Sequence, residues 1–131
     1  MDQQHAQSAG RLRDTRILVV EDEPVLALEL QFALEDEGAD VVGPACNLDR
    51  AVALAEGESI TAAVLDMRLG PNSVGPVARA LAHRKIPFLF YSGQPLNDPI
   101  RTEWPGSHMI QKPASTASLI QAVARLVAPD G

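Results

Sequence analysis

Cysteine is almost absent from this 131-residue chain. Cys46 is the only one, which excludes an internal disulfide and a cysteine-built metal centre. Its ordinary reading is a small hydrophobe near a loop. An excess of basic charge is missing too. The formal net charge is -6, whereas a nucleic-acid partner needs a basic face to neutralise phosphates. The same acidity disfavours docking on anionic membranes. No apolar run approaches the roughly 20 residues that span a bilayer. The polar start, residues 1–14, has no apolar stretch of the kind a secretory signal carries. The histidines His5, His83 and His108 stand at no ligand spacing. These absences predict a cytoplasmic domain with no nucleic-acid and no membrane partner.

What is present is enough apolar material for one core: 46% of the residues are hydrophobic, in a length that suits a single domain. Residues 1–14 read as a disordered leader, rich in Gln, Ser, Gly and charge and without periodicity. Residues 15–128 then form the domain, 129–131 a tail, and no output domain follows. Short apolar runs at 16–21, 40–43, 61–66, 86–91 and 107–111 read as strands, with helical patterns between and after them. The first helix begins at Pro24, with Asp22 or Glu23 as its cap, and Gly38 stops it. Val25, Leu28, Phe32 and Ala33 are read as its inward stripe, widened by Leu26, Leu30 and Leu34. Asn47 caps a helix over 48–57. A third helix over 73–84 turns Val74, Val77, Ala78 and Leu81 inward. The last, over 115–128, carries Leu119, Val123 and Leu126 on one face. The connection from Gly93 to Gly106 holds Pro95, Pro99 and Pro105. Proline in a helix interior costs about 3 kcal/mol, so only a short or irregular fourth helix, near 95–103, is expected there.

This alternation predicts an α/β fold: a parallel five-stranded sheet covered on both faces. The order is the doubly wound, flavodoxin-like (βα)5 order 2-1-3-4-5, which binds ligands beyond the carboxyl ends of its strands. Glu21, Asp22, Asp66, Ser92 and Lys112 all fall at or just past such ends. A carboxylate ending a buried strand is costly unless something binds it, and crowded carboxylates stay ionised near neutral pH only with cations nearby. Lys112 supplies one. With only oxygen ligands in sight, Mg²⁺ is the favoured divalent ion. Asp66 can then act as a nucleophile toward phosphorus, forming an aspartyl phosphate. Lys112 and the Ser92 hydroxyl would contact the phosphoryl oxygens. Taken singly, each residue reads as an ordinary loop acid or an exposed lysine; their convergence on one sheet edge carries the inference.

Four stretches in this order and spacing make the chain resemble the receiver domains of bacterial two-component response regulators, of the single-domain, CheY-like kind. They are Ile17-Leu18-Val19-Val20-Glu21-Asp22-Glu23-Pro24, Val64-Leu65-Asp66-Met67-Arg68-Leu69-Gly70, Phe88-Leu89-Phe90-Tyr91-Ser92-Gly93 and Gln111-Lys112-Pro113. The resemblance covers about residues 15–128. It implies Asp66 as phosphoacceptor, Asp22 as direct metal ligand, Glu21 as a ligand through water and the backbone carbonyl of Arg68 as the third protein ligand. It implies Ser92 as the switch hydroxyl and Lys112 as the lysine that meets the phosphoryl group. It further implies Mg²⁺ as cofactor and a sensor histidine kinase or histidine phosphotransfer protein as phosphate donor. Such a protein is a phosphoacceptor rather than an enzyme, and signals to a downstream protein or acts as a phosphate shuttle or sink. The stretch Pro87 to Gln94 is also similar to the Pro-Phe-x-Phe-Ala-Thr-Gly-Tyr motif of an alphaproteobacterial subgroup, with Tyr91, Ser92 and Gln94 replacing its Ala, Thr and Tyr.

Met109 stands where many receivers carry the aromatic partner of the switch hydroxyl. Methionine is adaptable enough to fill the same gap. Arg68 and Gln94 lie where receivers tune the lifetime of their phosphate. The proline-rich connection argues against the common dimer through the fourth helix and fifth strand, so a monomer or a weak dimer through another face is expected. Three other functions compete. A receiver-like module that binds without taking phosphate is one. A Mg²⁺-dependent aspartyl-phosphate phosphohydrolase is another, and it needs a second acid two residues after the nucleophile, where Arg68 cannot donate a proton at pH 7. A flavin binder would need a phosphate cradle in the first loop, which Glu21-Asp22-Glu23-Pro24 would repel.

Overall fold

The computed structural model describes residues 10–93, 103, 104 and 107–128. Strand β1, Arg16–Val20, is a continuous apolar run buried along nearly its whole length, as a strand covered on both faces must be. Its side chains alternate between two cores: Leu18 and Val20 join one, Ile17 and Val19 the other. The same alternation splits β3, Ala62–Leu65, and β6, Phe88–Ser92. With β2, Asp40–Ala45, and β7, His108–Gln111, these strands form one parallel sheet in the order β2-β1-β3-β6-β7. That is the 2-1-3-4-5 order expected of the five principal strands.

Helices α1 (Pro24–Asp36) and α4 (Thr116–Val127) cover the Ile17–Val19 face, through Leu30, Leu34, Leu119, Ile120 and Val123. Helices α2 (Leu48–Gly57) and α3 (Gly75–His83) cover the other, through Ala51, Ala55, Val77, Ala78 and Leu81. Asn47 caps α2 by accepting the Arg50 N–H at 2.9 Å. Ser115 caps α4 in the same way, from Ser118 at 3.1 Å. Among the described residues no helix is long and apolar enough to cross a membrane.

The inward stripe read for the first helix needs correction. Val25, Leu28 and Phe32 are exposed, at 71%, 49% and 59%, and the buried set is Ala27, Leu30 and Leu34. The helix is apolar on two sides. Two residues along a helix is about 200° of rotation, so the 27-30-34 stripe points nearly opposite to 25-28-32, and only one can meet the sheet. Gly38, at φ 94, ends the helix as read.

A feature absent from the sequence reading follows β3. Strands β4 (Arg68–Leu69) and β5 (Asn72–Ser73) pair antiparallel around Gly70 and Pro71. Gly70 has φ 61, a value that two-residue hairpin turns demand and glycine supplies without penalty. Two-residue strands leave no periodic signal to read. Met67, Leu69 and Val74 are buried beneath this hairpin, and the Val74 N–H closes its base on the Met67 carbonyl at 2.9 Å.

Packing also starts before residue 15. Residues 10–14 form a turn in which Leu12 is fully buried, its N–H donated to the Glu37 carbonyl at 2.8 Å. The rest of the expected leader, the tail 129–131 and most of the expected fourth helix, with Gln94, lie outside the described residues.

Candidate functional site

Backbone hydrogen bonds put the acids in place. The Glu21 N–H reaches the Ala45 carbonyl at 3.0 Å, and the Asp66 N–H reaches the Val20 carbonyl at 2.9 Å. The ends of β1 and β3 are thereby locked side by side, with Glu21 and Asp66 just beyond them. Carboxylate oxygens of Glu21, Asp22 and Asp66 all lie within 4.8 Å of one another.

Lys112 enters from beyond β7. Its N–H pairs with the Ser92 carbonyl at 3.0 Å, and its Nζ lies 3.0 Å from Glu21 Oε1, 3.1 Å from Asp66 Oδ2 and 3.9 Å from Glu23 Oε1. The other oxygens are held as well. Glu21 Oε2 accepts the Glu23 N–H at 3.1 Å, Asp66 Oδ1 the Arg68 N–H at 3.3 Å, and Asp22 Oδ2 the Gly70 N–H at 2.8 Å. Asp22 therefore spends its carboxylate on the hairpin rather than on capping α1. Glu23 occupies the cap position without a side-chain cap bond, and Pro24 at the first helical position needs no N–H partner.

Glu21 is 1% exposed. Burial, reinforced by the charge of Asp66, pushes its carboxyl up to about 7 against the opposing pull of Lys112. Burial acts to lower the Lys112 pKa, but its hydrogen bond to Glu21 and the charge of Asp66 outweigh that and raise it. Lys112 is thus a fixed cation in a cleft that still holds more acid than base.

The structure brings together Glu21, Asp22, Asp66 and Lys112 as the sequence proposed, with the backbone of Arg68 beside them. Ser92 is fully buried at the last position of β6. Met109 lies lower, opposite Phe90 in the β6–β7 register and packed against the α2–α3 core. Three contributors were missed. Glu23 reaches Lys112, Gly70 fixes Asp22, and the Tyr91 ring lies under Lys112, its centroid 5.5 Å from Nζ. The run of three acids and the Gly-Pro pair were visible signals for the first two. Only the fold could show the third.

Chemically, the cleft offers three carboxylates spaced to hold a metal ion through oxygen, a carboxylate at a strand end, and an ammonium touching it. Solved structures of receiver domains superpose on this fold. A response regulator receiver protein from Sinorhizobium medicae superposes with TM-score 0.78 at 27% identity, over 89% of this chain and 97% of that one. The non-phosphorylated HemR receiver domain of Leptospira biflexa superposes with TM-score 0.76 at 26% identity, over 88% and 95%. The receiver domain of a Pseudomonas aeruginosa sensor histidine kinase, which has a magnesium ion coordinated in its active-site cleft, superposes with TM-score 0.74 at 24% identity, over 86% and 97%. No protein-family model and no curated protein matches the sequence. The chain has the fold of response regulator receiver domains, and the neighbours matched at 26–27% identity are such domains.

Proposed function

We propose that this receiver accepts a phosphoryl group on Asp66 from a phosphohistidine of a sensor kinase or histidine phosphotransfer protein, with Mg²⁺. It then signals by binding a downstream protein, or serves as a phosphate shuttle or sink. One observation carries the reading: Asp66, at the end of the central strand, has one carboxylate oxygen 3.1 Å from Lys112 and shares a 4.8 Å cluster with Glu21 and Asp22.

The donor set suits Mg²⁺, being all oxygen, crowded and short of positive charge. Asp22, Asp66 and the Arg68 carbonyl would hold it directly and Glu21 through water. Bound there, Mg²⁺ would neutralise charge on the acids and the incoming phosphoryl oxygens. The chain's own residues do the rest. A carboxylate oxygen of Asp66 forms the new bond to phosphorus as the phosphorus–nitrogen bond of phosphohistidine breaks, the imidazole nitrogen keeping the electron pair. With acetyl phosphate the phosphorus–oxygen bond breaks instead and acetate leaves with the pair. Lys112 gives its ammonium to the phosphoryl oxygens. Ser92 then turns its hydroxyl to them, and Met109 fills the space beside it, coupling the charge of about -1.5 to -2 to a change in the β6–β7 surface.

A protein that delivers phosphate to Asp66 must meet the rim of the cleft, and α1 starts on that rim. Its exposed Val25, Leu28 and Phe32 are the apolar contact we assign to that partner. The Pro87–Gln94 motif supports placing the chain near the alphaproteobacterial subgroup.

The test is intact mass after incubation with Mg²⁺ and acetyl phosphate. Wild type should gain one phosphoryl adduct and Asp66→Asn none. No adduct and no turnover on wild type, under conditions that label a control receiver, overturns the proposal.

A further inference from the structure

Tyr91 stands where the subgroup motif has alanine, and it makes two contacts that alanine cannot. It is 5% exposed and ends up on the α1–α4 side of the sheet, packed with Leu89 and Leu119. By alternation this is the face opposite Phe90 and Ser92. From there its ring lies 5.5 Å from Lys112 Nζ, measured to the centroid, within the range at which a ring face attracts an ammonium. Its hydroxyl donates to the Ala114 carbonyl at a long 3.3 Å. One side chain thus touches both the charged end of Lys112 and the backbone two residues later. The ring itself helps to line a partly open groove with Glu23, Leu26, Glu29, Lys112 and Pro113.

We propose that Tyr91 is a positioning residue for Lys112: its ring holds the ammonium over the cleft. The consequence for phosphoryl uptake rests on the function proposed above. At present Lys112 is aimed by Glu21 and Asp66. When Asp66 takes phosphate, its carboxylate becomes an acyl phosphate and that ion pair changes. The ring contact does not depend on Asp66, so it keeps Lys112 pointed at the phosphoryl oxygens throughout.

The test uses the full chain and two readouts. The first is the rate at which an amine-reactive succinimidyl ester labels Lys112 in the unphosphorylated protein, read by peptide mass. Lys85, the other lysine in the sequence and exposed, is the internal control. The second is the phosphorylation rate with acetyl phosphate and Mg²⁺, resolved into a maximal rate and a half-saturating donor concentration. Tyr91→Phe keeps the ring and should match wild type in both within about twofold. Tyr91→Leu should label Lys112 about tenfold faster, a factor of the size a cation–ring contact supplies, with Lys85 unchanged. Its maximal phosphorylation rate should fall by a similar factor. If Tyr91→Leu does not fold, Tyr91→Met, an unbranched filler, takes its place.

Unchanged Lys112 labelling in the Leu or Met variant overturns the proposal. So does a Phe variant as impaired as Leu, which would move the role from ring to hydroxyl. A rise in labelling shared equally by Lys85 would mean general loosening and overturns it too. If wild type takes no phosphate while a control receiver does, the phosphoacceptor reading fails, and the labelling contrast still decides the role of Tyr91.

Discussion

Glu21 keeps its proton to higher pH in the folded protein than an ordinary carboxyl does. Its ordinary pKa of 4.5 is raised to about 7, chiefly by burial. A group raised in this way contributes stability that is fully present below about pH 4.5 and is lost as pH climbs through about 7. Lys112, whose own pKa is raised, stays charged across that window. In the absence of divalent cation the melting temperature is therefore expected to fall between pH 4.5 and 7.5, and Glu21→Gln should flatten that part of the curve. Mg²⁺ should raise the melting temperature more at pH 7.5 than at pH 5, because metal binding competes with protons for the carboxylates. Differential scanning fluorimetry across the pH series checks all three. The acids and Lys112 were legible in the sequence because each ends an apolar run, and strand ends of a parallel sheet share one edge. Tyr91 was not, because its role depends on which way the Lys112 side chain leans.

Among the elements, α1 and the β4–β5 hairpin departed most from expectation, for different reasons. Helix α1 is apolar on two sides, so periodicity could identify a helix but not choose which stripe meets the sheet. The structure chooses Ala27, Leu30 and Leu34. Leu30→Ala or Leu34→Ala should cost about 2–5 kcal/mol in urea unfolding. Leu28→Ser or Phe32→Ser should stay within about 0.5 kcal/mol of wild type. The opposite ranking would restore the stripe read from the sequence. The hairpin was hidden by its brevity, although Gly70-Pro71 marked a turn. A Cβ on Gly70 would meet nothing within 4 Å, so Gly70→Ala carries only the penalty of its positive φ, about 1–2 kcal/mol. Because the Gly70 N–H holds Asp22 at 2.8 Å, the same variant should weaken Mg²⁺ binding in a calorimetric titration, even where the protein remains folded.

For the molecule as a whole, strand order and layer assignment followed directly from alternation. Five apolar runs separated by helical stretches leave few ways to cover both faces of a sheet. What the sequence could not give was how the far end of the sheet connects to the cleft. Trp104, the only tryptophan in the chain, stacks edge-on against Phe88 with centroids 5.5 Å apart, and Phe88 stacks likewise on Phe90. Phe88 and Phe90 lie on β6, the strand that ends in Ser92, and Trp104 packs beside the first of them. Acetyl phosphate with Mg²⁺ is accordingly expected to change Trp104 emission in wild type and leave it unchanged in Asp66→Asn. Equal responses in the two proteins would show that the aromatic row does not sense the state of Asp66.

The two stripes of α1 divide labour between the core and the surface. Side chains at 27, 30 and 34 are committed to the interior, whereas those at 25, 28 and 32 present most or about half of their surface to whatever approaches from outside. Exchanging the outer three for another set is then expected to be nearly neutral for folding, so under the docking proposed above the preference for one phosphate donor over another could be rewritten on a scaffold that stays the same.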